Sequence, residues 1–255
     1  MNSLPPNLRV ALYRDSGVFF PLADSLYRRL RRWGWQVQRV QASFLVEEEW
    51  ESQFDLLIFP GGRDVPYQRK LSGKGNRKII SFVRGGGKFL GICAGAYYAC
   101  GKILFAQGTP LQVIEERELG FFPGQAVGPL GDPHRFSYID LHGIQAVPLS
   151  CRPPFSSLYI PHLYYHGGCT FLSEKKEDFA SISILATYPE WENQPALIAF
   201  SYGRGGGILC SVHLEYLLEE DIQNLRNKRA DLFPLLQSSR ILSEQLFEQL
   251  FLYLF

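Results

Sequence analysis

The sequence contains no C-x-x-C pair, although it has five cysteines. They are odd in number and dispersed along the chain, at Cys93, Cys100, Cys151, Cys169 and Cys210. This distribution fits neither a disulfide framework nor a standard zinc site. It favours a reducing compartment, and we expect a cytoplasmic protein.

Long apolar runs, a leader pattern and net charge are missing as well. No apolar run approaches the roughly 20 residues needed to span a bilayer. The N-terminal stretch MNSLPPNLRVALYRD has no basic segment followed by an apolar one, so we expect no secretory leader. With 26 Lys and Arg against 25 Asp and Glu, the net charge of +1 attracts neither nucleic acid nor an anionic membrane.

The residues that are present predict an α/β fold. Apolar residues make up 46% of the 255 positions, enough for a sizeable core. Strand-like runs (LRVALY, WQVQRV, FDLLIFPGG and KFLGI) alternate with helix-like runs (PLADSLYRRLRRWG and NRKIISFVRGGG). Strands that alternate with helices in this way favour a mostly parallel central sheet flanked by helices.

The second half of the chain predicts additional β strands. Short β-type runs (QVIEE, FSYIDL and SSLYI) are followed by two strands joined at the turn GRGGG. The sequence after Pro234 is helical in pattern, with its apolar side against the sheet. No repeat or linker-like composition interrupts the chain, so we expect one domain over residues 1–255.

The stretch FLGICAGAYYAC places Cys93 between a predicted strand and a predicted helix. A cysteine on such a turn lies at a helix N-terminus, where thiolate is favoured over thiol. Gly91 and Gly95 permit a tight turn with space around the sulfur, as in a nucleophile elbow. The alternative is a buried small residue in a glycine-rich turn, since free cysteine is often buried.

A nucleophilic cysteine also needs a base, and His213 is the best candidate. It follows the predicted strand GGGILCSV, and Glu215 projects to the same side because strand residues alternate. The carboxylate would then orient the imidazole toward the sulfur. Although H-x-E is a weak signal alone, its combination with Cys93 at a matching sheet end favours a catalytic triad.

Groups for substrate and for a developing oxyanion are also present. The N–H of Ala94 is one candidate donor, and the turn Gly61–Gly62 offers another if its strand lies beside that of Cys93. Arg63 next to this turn can pair with a substrate carboxylate, or with Asp64 in a salt bridge that stiffens the loop. Further along, Tyr97 and Tyr98 lie one helical turn past Cys93, so at least one faces the pocket or the core.

Three of these stretches, PGGRDVPY, GICAGAYYA and SVHLEY, resemble a known family. It is the amino-terminal domain of eukaryotic biotin–protein ligases and of stand-alone bacterial proteins, a branch of the class I glutamine amidotransferase-like superfamily. The resemblance implies a flavodoxin-like fold and glutamine hydrolysis through a thioester. It implies these roles: Cys93 as nucleophile, His213 and Glu215 as the other triad members, and Gly61, Gly62 and Ala94 as the oxyanion region.

The resemblance also places a pocket at Tyr165, His166, Gly167 and Gly168, where the family carries a tyrosine and paired glycines. A glycine pair in a hairpin is the structural alternative. The His-Pro-Glu common in the superfamily is His-Leu-Glu here, with Leu214 in the middle. The sequence HLYYHGGC, from His162 to Cys169, also permits a metal site, but we expect no metal because it lacks a clear helix and a fourth ligand.

The sequence leaves three functions open. The first is a cysteine-dependent amide hydrolase of amidotransferase type, acting without a cofactor on a small amide or carboxylate ligand. No synthetase domain follows in the chain, so released ammonia would need a separate synthetase or biotin-pathway partner. The second is a non-catalytic regulatory module that retains the pocket to bind a metabolite or a partner. The third is a peptidase or detoxifying hydrolase, in which an acidic residue other than Glu215 tunes the cysteine.

Overall fold

The computed structural model describes residues 4–138, 143–155, 158–216 and 229–255. The first part of the chain alternates strands and helices. Its strands are β1 (Arg9–Tyr13), β2 (Gln36–Val40), β3 (Leu56–Phe59) and β4 (Lys88–Ile92). Its helices are α1 (Phe20–Arg32), α2 (Ala42–Glu47), α3 (Asp64–Leu71), α4 (Lys74–Arg84) and α5 (Ala94–Tyr98).

The later part of the chain is dominated by strands. They are β5 (Cys100–Phe105), β6 (Val113–Glu116), β7 (Phe122–Gly128), β8 (Ile144–Cys151), β9 (Tyr159–His166), β10 (Thr170–Leu172), β11 (Ile182–Tyr188), β12 (Gln194–Tyr202) and β13 (Gly205–Cys210). Two helices follow, α6 (Phe233–Ser238) and α7 (Arg240–Leu254). Short 3-10 turns occupy Pro133–Arg135 and Lys176–Phe179.

Nine strands form one large sheet in the order β2-β1-β3-β4-β13-β12-β11-β8-β9. The strands from β2 to β13 run parallel. The strands from β13 to β9 pair antiparallel. The sheet is therefore mixed, and the expected mostly parallel arrangement holds only for its first five strands. The connections within β8–β9 and β11–β13 are too short for the crossover that parallel pairing requires.

A smaller sheet, in the order β10-β7-β5-β6, lies beside the large one. Its strands β5 and β7 are parallel, and the outer pairings are antiparallel. The strand β5 begins only two residues after α5 ends, so this sheet is tied closely to the turn that carries Cys93.

Both faces of the central parallel strands β1, β3, β4 and β13 are buried, whereas the edge strand β2 is mostly exposed. In β3, Leu57 and Phe59 join the core on one face, and Leu56 and Ile58 join the core on the other. This alternation explains why the run LLIF is continuously apolar, as strands covered on both faces require. The helix α7 covers the second face, where Phe251 packs against Trp35.

The sequence pattern overlooks α2 and α3, which are short. It also predicts a strand over FSYIDL, whereas Phe136–Tyr138 form no strand and 139–141 lie outside the described residues. The helical C-terminus divides into α6 and α7 at Ser239. Within the described ranges, no helix has the length and apolar composition needed to cross a membrane.

Candidate active site

The structure places Cys93 on a sharp turn between β4 and α5. Its backbone has φ +48° and ψ −105°, a conformation that non-glycine residues rarely adopt. The N–H of Cys93 donates to the carbonyl of Cys210 at 2.8 Å, which ties the turn to the end of β13. The strained backbone is thus held in place by the neighbouring strand.

The two glycines of the elbow are required by close backbone contacts. A Cβ atom at Gly91 would lie 2.5 Å from the carbonyl oxygen of Gly95. A Cβ atom at Gly95 would lie 2.0 Å from the carbonyl oxygen of Phe59, at the end of β3. Both distances are far below van der Waals contact, so the turn packs this tightly only because side chains are absent.

His213 and Glu215 form a buried pair just beyond β13. Nδ1 of His213 lies 2.8 Å from Oε1 of Glu215, and the side chains are 3% and 0% exposed. The backbone N–H of His213 donates to the carbonyl of Tyr164 at 3.0 Å, and the Tyr164 ring packs edge-on against the imidazole. The imidazole is therefore held by a carboxylate on one side and by β9 on another.

The charge of His213 depends on Glu215 and Cys93, which lie beside its ring. Burial alone would lower the pKa of this imidazole, but the carboxylate of Glu215 and the sulfur of Cys93, which also hydrogen bond to the ring, raise the pKa to about 10. At neutral pH His213 is accordingly an imidazolium. This positive charge lies beside the sulfur of Cys93.

The glycine turn after β3 borders this pair. A Cβ atom on Gly61 would lie 2.5 Å from Cε1 of His213 and 3.5 Å from the Cβ of Cys93. Gly62 has φ +142°, and a Cβ there would meet the Gly17 carbonyl oxygen at 2.0 Å. The sequence places this turn near Cys93 only if the strands that carry the two are adjacent. The structure meets this condition, because β3 and β4 are neighbours in the sheet.

The turn between β9 and β10 lies on the other side of the sulfur. The sulfur of Cys93 is 3.6 Å from the carbonyl oxygen of His166, whose own ring contacts the Ser137 carbonyl through Nε2 at 2.9 Å. The Tyr97 hydroxyl donates to the carbonyls of Gly167 and Gly168, each at 3.1 Å. His166 thus approaches the sulfur of Cys93 through its backbone, while Tyr97 lies buried beneath the turn and holds it.

Arg63 and Tyr138 lie at the outer edge of the site. The guanidinium of Arg63 is exposed and stacks on the Tyr138 ring at 5.2 Å from its centroid. The proximity of Cys93 contributes, after burial, to the raised pKa of Tyr138. The side chain of Cys93 itself is only 4% exposed. The sulfur of Cys93 is therefore enclosed, and the Arg63 guanidinium and the Tyr138 ring lie at the outer edge of the site.

Several other residues considered from sequence have structural contacts. Asp64 pairs with Arg117 rather than with Arg63, with a distance of 2.6 Å. Tyr98 is buried and donates to Asn76. Among the residues that the structure describes, no group of three or more His, Cys, Asp or Glu side chains is arranged to hold a metal ion.

Sequence reasoning missed Phe136, Tyr138, Arg117 and Glu118. Phe136 packs against the His166 ring at 5.1 Å, and a Cβ on Gly167 would lie 2.4 Å from the Phe136 ring. Because the sequence predicted a strand over FSYIDL, the packing of Phe136 against His166 and Gly167 was not expected. The arginine and glutamate follow a short edge strand, where charged residues are expected for solubility alone.

Comparison with known proteins identifies relatives over most of the chain. Residues 9–249 match the family model described as biotin-protein ligase, N terminal. An uncharacterised protein from Chlamydia muridarum is 38% identical over 218 residues, covering 83% of this chain and 82% of that protein. The biotin–protein ligase of Schizosaccharomyces pombe is 34% identical over 214 residues, covering 83% of this chain but 32% of the ligase.

Solved structures share the fold at low sequence identity. A protein assigned as a GMP synthase subunit from Thermoplasma acidophilum aligns with a TM-score of 0.51 and 13% identity, covering 96% of this chain and 100% of that one. A ThuA-like protein from Bacteroides uniformis aligns with a TM-score of 0.52 and 12% identity, covering 91% and 93%. The family match and the sequence relatives show that the chain belongs to the biotin-protein ligase N-terminal family, and the two solved structures share its fold.

Proposed function

We propose that the protein is a cysteine-dependent amide hydrolase of the glutamine-amidotransferase type, with Cys93, His213 and Glu215 as its catalytic triad. One observation carries the proposal: a cysteine with strained backbone lies beside a buried imidazole that a carboxylate holds. Strain and buried charge of this kind cost stability, and they concentrate at functional sites.

In the first half of the reaction the thiolate of Cys93 attacks the amide carbonyl carbon. The carbonyl π electrons move onto oxygen and give a tetrahedral oxyanion. When this intermediate collapses, the C–N bond breaks, and the proton of the His213 imidazolium goes to the leaving nitrogen. Ammonia departs and a thioester of Cys93 remains, with His213 now neutral.

In the second half water attacks the thioester carbonyl while neutral His213 takes its proton. The C–S bond breaks, the product leaves as a carboxylic acid, and the thiolate–imidazolium pair is restored. The overall reaction converts an amide and water into a carboxylic acid and ammonia, which exchange a proton in water to give a carboxylate and ammonium. Glu215 keeps its carboxylate on Nδ1 in both halves, and so presents Nε2 to the reacting atoms.

The oxyanion would be bound by backbone N–H groups on either side of the sulfur. Ala94 is the first residue of α5, and the first N–H groups of a helix have no partner within it. Gly61 and Gly62 border His213 and supply N–H groups from the other side. Arg63, exposed at the edge of the site, would pair with a carboxylate of the substrate.

The proposal extends to the setting of the reaction. The triad needs no cofactor, and ammonia released by it would pass to a separate synthetase or biotin-pathway protein. All five cysteines are free thiols, which suits the reducing cytoplasm we propose as the location. The family match over residues 9–249 supports one domain over residues 1–255.

Ammonia release tests the proposal. The purified chain is incubated with glutamine, asparagine and succinamate, which carry a carboxylate, and with butyramide, which does not. We expect turnover of at least one carboxylate-bearing amide, lost in Cys93→Ser and retained in the matched control Cys151→Ser, whose cysteine lies in β8. Arg63→Gln should raise KM for these amides. A reactive Cys93 without turnover of any amide would contradict the proposal.

The burial of Cys93 supports one other candidate, a regulatory module that binds a metabolite in the same pocket. The sulfur is nearly inaccessible and contacts the carbonyl of His166. A protein of this kind would bind carboxylates reversibly and show no thioester. Binding of glutamine to Cys93→Ser in isothermal titration, combined with the absence of turnover in the wild type, would favour this regulatory function.

A further inference from the structure

The segment Arg117–Glu118, which follows β6, contacts both ends of α3. The side chain of Arg117 is completely buried. Its Nε and Nη2 atoms donate to Oδ2 of Asp64 at 2.9 and 2.6 Å, and its Nη1 donates to Glu115 and to the Glu116 carbonyl. Asp64 is the first residue of α3 and directly follows Arg63, so this ion pair fixes the start of the helix.

Glu118 holds the other end of the helix. Its carboxylate accepts from the Ser72 hydroxyl at 2.6 Å and from the Gly73 N–H at 2.8 Å. It also accepts from the amide of Asn76 at 2.8 Å and from Gln68 at 3.3 Å. These donors lie in the last turn of α3, in the two-residue link between the helices and in the first turn of α4, so the position of α3 is defined at both ends.

The position of α3 sets the orientation of the glycine turn. The Tyr67 hydroxyl, from within α3, lies 3.1 Å from the Pro60 carbonyl oxygen and 3.4 Å from that of Gly61. In a trans peptide the N–H points opposite to the carbonyl. The N–H groups of Gly61 and Gly62 are therefore turned away from Tyr67.

The same segment is anchored to the elements around Cys93. The N–H of Arg117 donates to the carbonyl of Gly101 at 2.9 Å. Gly101 belongs to β5, which follows the helix α5 after one residue. Arg117 and Glu118 therefore connect the glycine turn to the nucleophile by a route that does not pass through the large sheet.

We propose that Arg117 and Glu118 are positioning residues that set the spacing between the oxyanion donors of the glycine turn and Cys93. This inference rests on the proposed function, because it assumes that Gly61 and Gly62 stabilise an oxyanion. Neither residue touches the reacting atoms. Loss of either contact should move the donors and leave the Cys93–His213 pair in place.

Two probes separate these effects. Iodoacetamide alkylates Cys93 by displacement and needs no oxyanion site. Succinic semialdehyde, a carboxylate with a terminal aldehyde, adds the Cys93 sulfur to its carbonyl carbon and places the resulting oxyanion on the donors. The rate of alkylation and the protection that the aldehyde gives against it are measured in the wild type, Arg117→Lys, Arg117→Gln and Glu118→Gln. Arg69→Gln, an exposed position on α3, is the matched control.

We expect alkylation without aldehyde to stay within twofold of the wild type in every variant. Protection should weaken at least tenfold in Arg117→Gln, and less in Glu118→Gln and in Arg117→Lys. Arg117→Lys keeps the positive charge but not both hydrogen bonds to Asp64. It replaces Arg117→Gln in the experiment if that variant does not fold. Arg69→Gln should match the wild type.

The outcomes distinguish the two proposals. If the wild type is protected and the folded Arg117 and Glu118 variants are protected equally, the positioning role is wrong and the proposed function stands. Parallel loss of alkylation and protection would also overturn it, because the segment would then support the whole site. If aldehyde gives no protection to a reactive wild-type Cys93, the oxyanion site of the proposed function is wrong, and the positioning role with it.

Discussion

Nδ1 of His213 lies 2.8 Å from Oε1 of Glu215, and the other carboxylate oxygen of Glu215 has no hydrogen-bond partner among the described residues. A buried carboxylate with so few partners is costly unless a positive charge lies beside it. The pair therefore favours an imidazolium at His213. In the proposed reaction, this charge state would hold a thiolate at Cys93 and protonate the leaving nitrogen.

The pH profile of Cys93 alkylation should depend on His213. The pKa of His213 is raised to about 10, so the imidazolium persists through neutral pH and favours the thiolate there. Without the imidazolium, Cys93 loses the adjacent positive charge that makes a thiol more reactive. We expect rapid labelling by iodoacetamide at pH 7 in the wild type and labelling at least tenfold slower in His213→Ala, read by mass spectrometry.

The control for this experiment is His134→Ala, because His134 is exposed on a 3-10 turn. Its labelling profile should match the wild type. A Cys93 that is inert at pH 7, or one that reacts equally in His213→Ala, would contradict the assignment of the pair.

The charge of Glu215 should matter more than its shape. Glu215→Gln retains the volume of the side chain but removes the carboxylate that raises the pKa of His213. We expect amide hydrolysis to fall on the order of 1,000-fold, with slower Cys93 labelling at neutral pH. Unchanged turnover in this variant would favour the peptidase branch, in which another acidic residue tunes the cysteine.

Gly61 should tolerate no side chain. In Gly61→Ala the new methyl group would meet Cε1 of His213 at 2.5 Å, so the ring or the turn must shift. We expect turnover to fall on the order of 100-fold with the fold retained, measured by steady-state kinetics and circular dichroism. Gly108→Ala is a suitable control, since its φ of +78° adds strain but its Cβ meets nothing within 4 Å. Equal activity losses in both variants would argue against a specific role for the turn.

The stabilisation that Glu118 contributes should be lost at acid pH. Burial acts to raise the pKa of this carboxyl, but hydrogen bonds from Ser72, Asn76 and Gly73 outweigh it and hold the pKa below its usual range. A lowered folded-state pKa stabilises the protein above the ordinary value of ~4.3, and this contribution is lost as the pH falls through the folded-state pKa. The Tm difference between wild type and Glu118→Gln should accordingly be largest near pH 7 and shrink below pH ~4. A difference independent of pH would assign the effect to shape rather than charge.

Local sequence patterns predicted much of this fold. Apolar runs of four to six residues marked β1, β3 and β4, and helical spacing marked α1 and α4. These elements are governed by periodicity and by glycine at their ends, which a single sequence displays. The pattern failed over FSYIDL, because aromatic residues favour strands by propensity but also serve as packing groups in loops. The additional strands of the second half were predicted, including the pair joined at GRGGG. The expectation of a mostly parallel sheet is not confirmed, because strand direction there follows from connection lengths and pairing partners.

For the candidate site, the sequence by itself determined the chemistry available: a cysteine between glycines, a histidine two residues before a glutamate, and glycines after an apolar strand. Only the tertiary structure decided that these groups meet. β4 and β13 are neighbours, and the N–H of Cys93 bonds to the carbonyl of Cys210, so residues far apart in sequence end at one sheet edge. The burial of His213 and the contacts of Arg117 were likewise invisible beforehand, because pairing between distant strands depends on packing of the whole chain rather than on any local pattern.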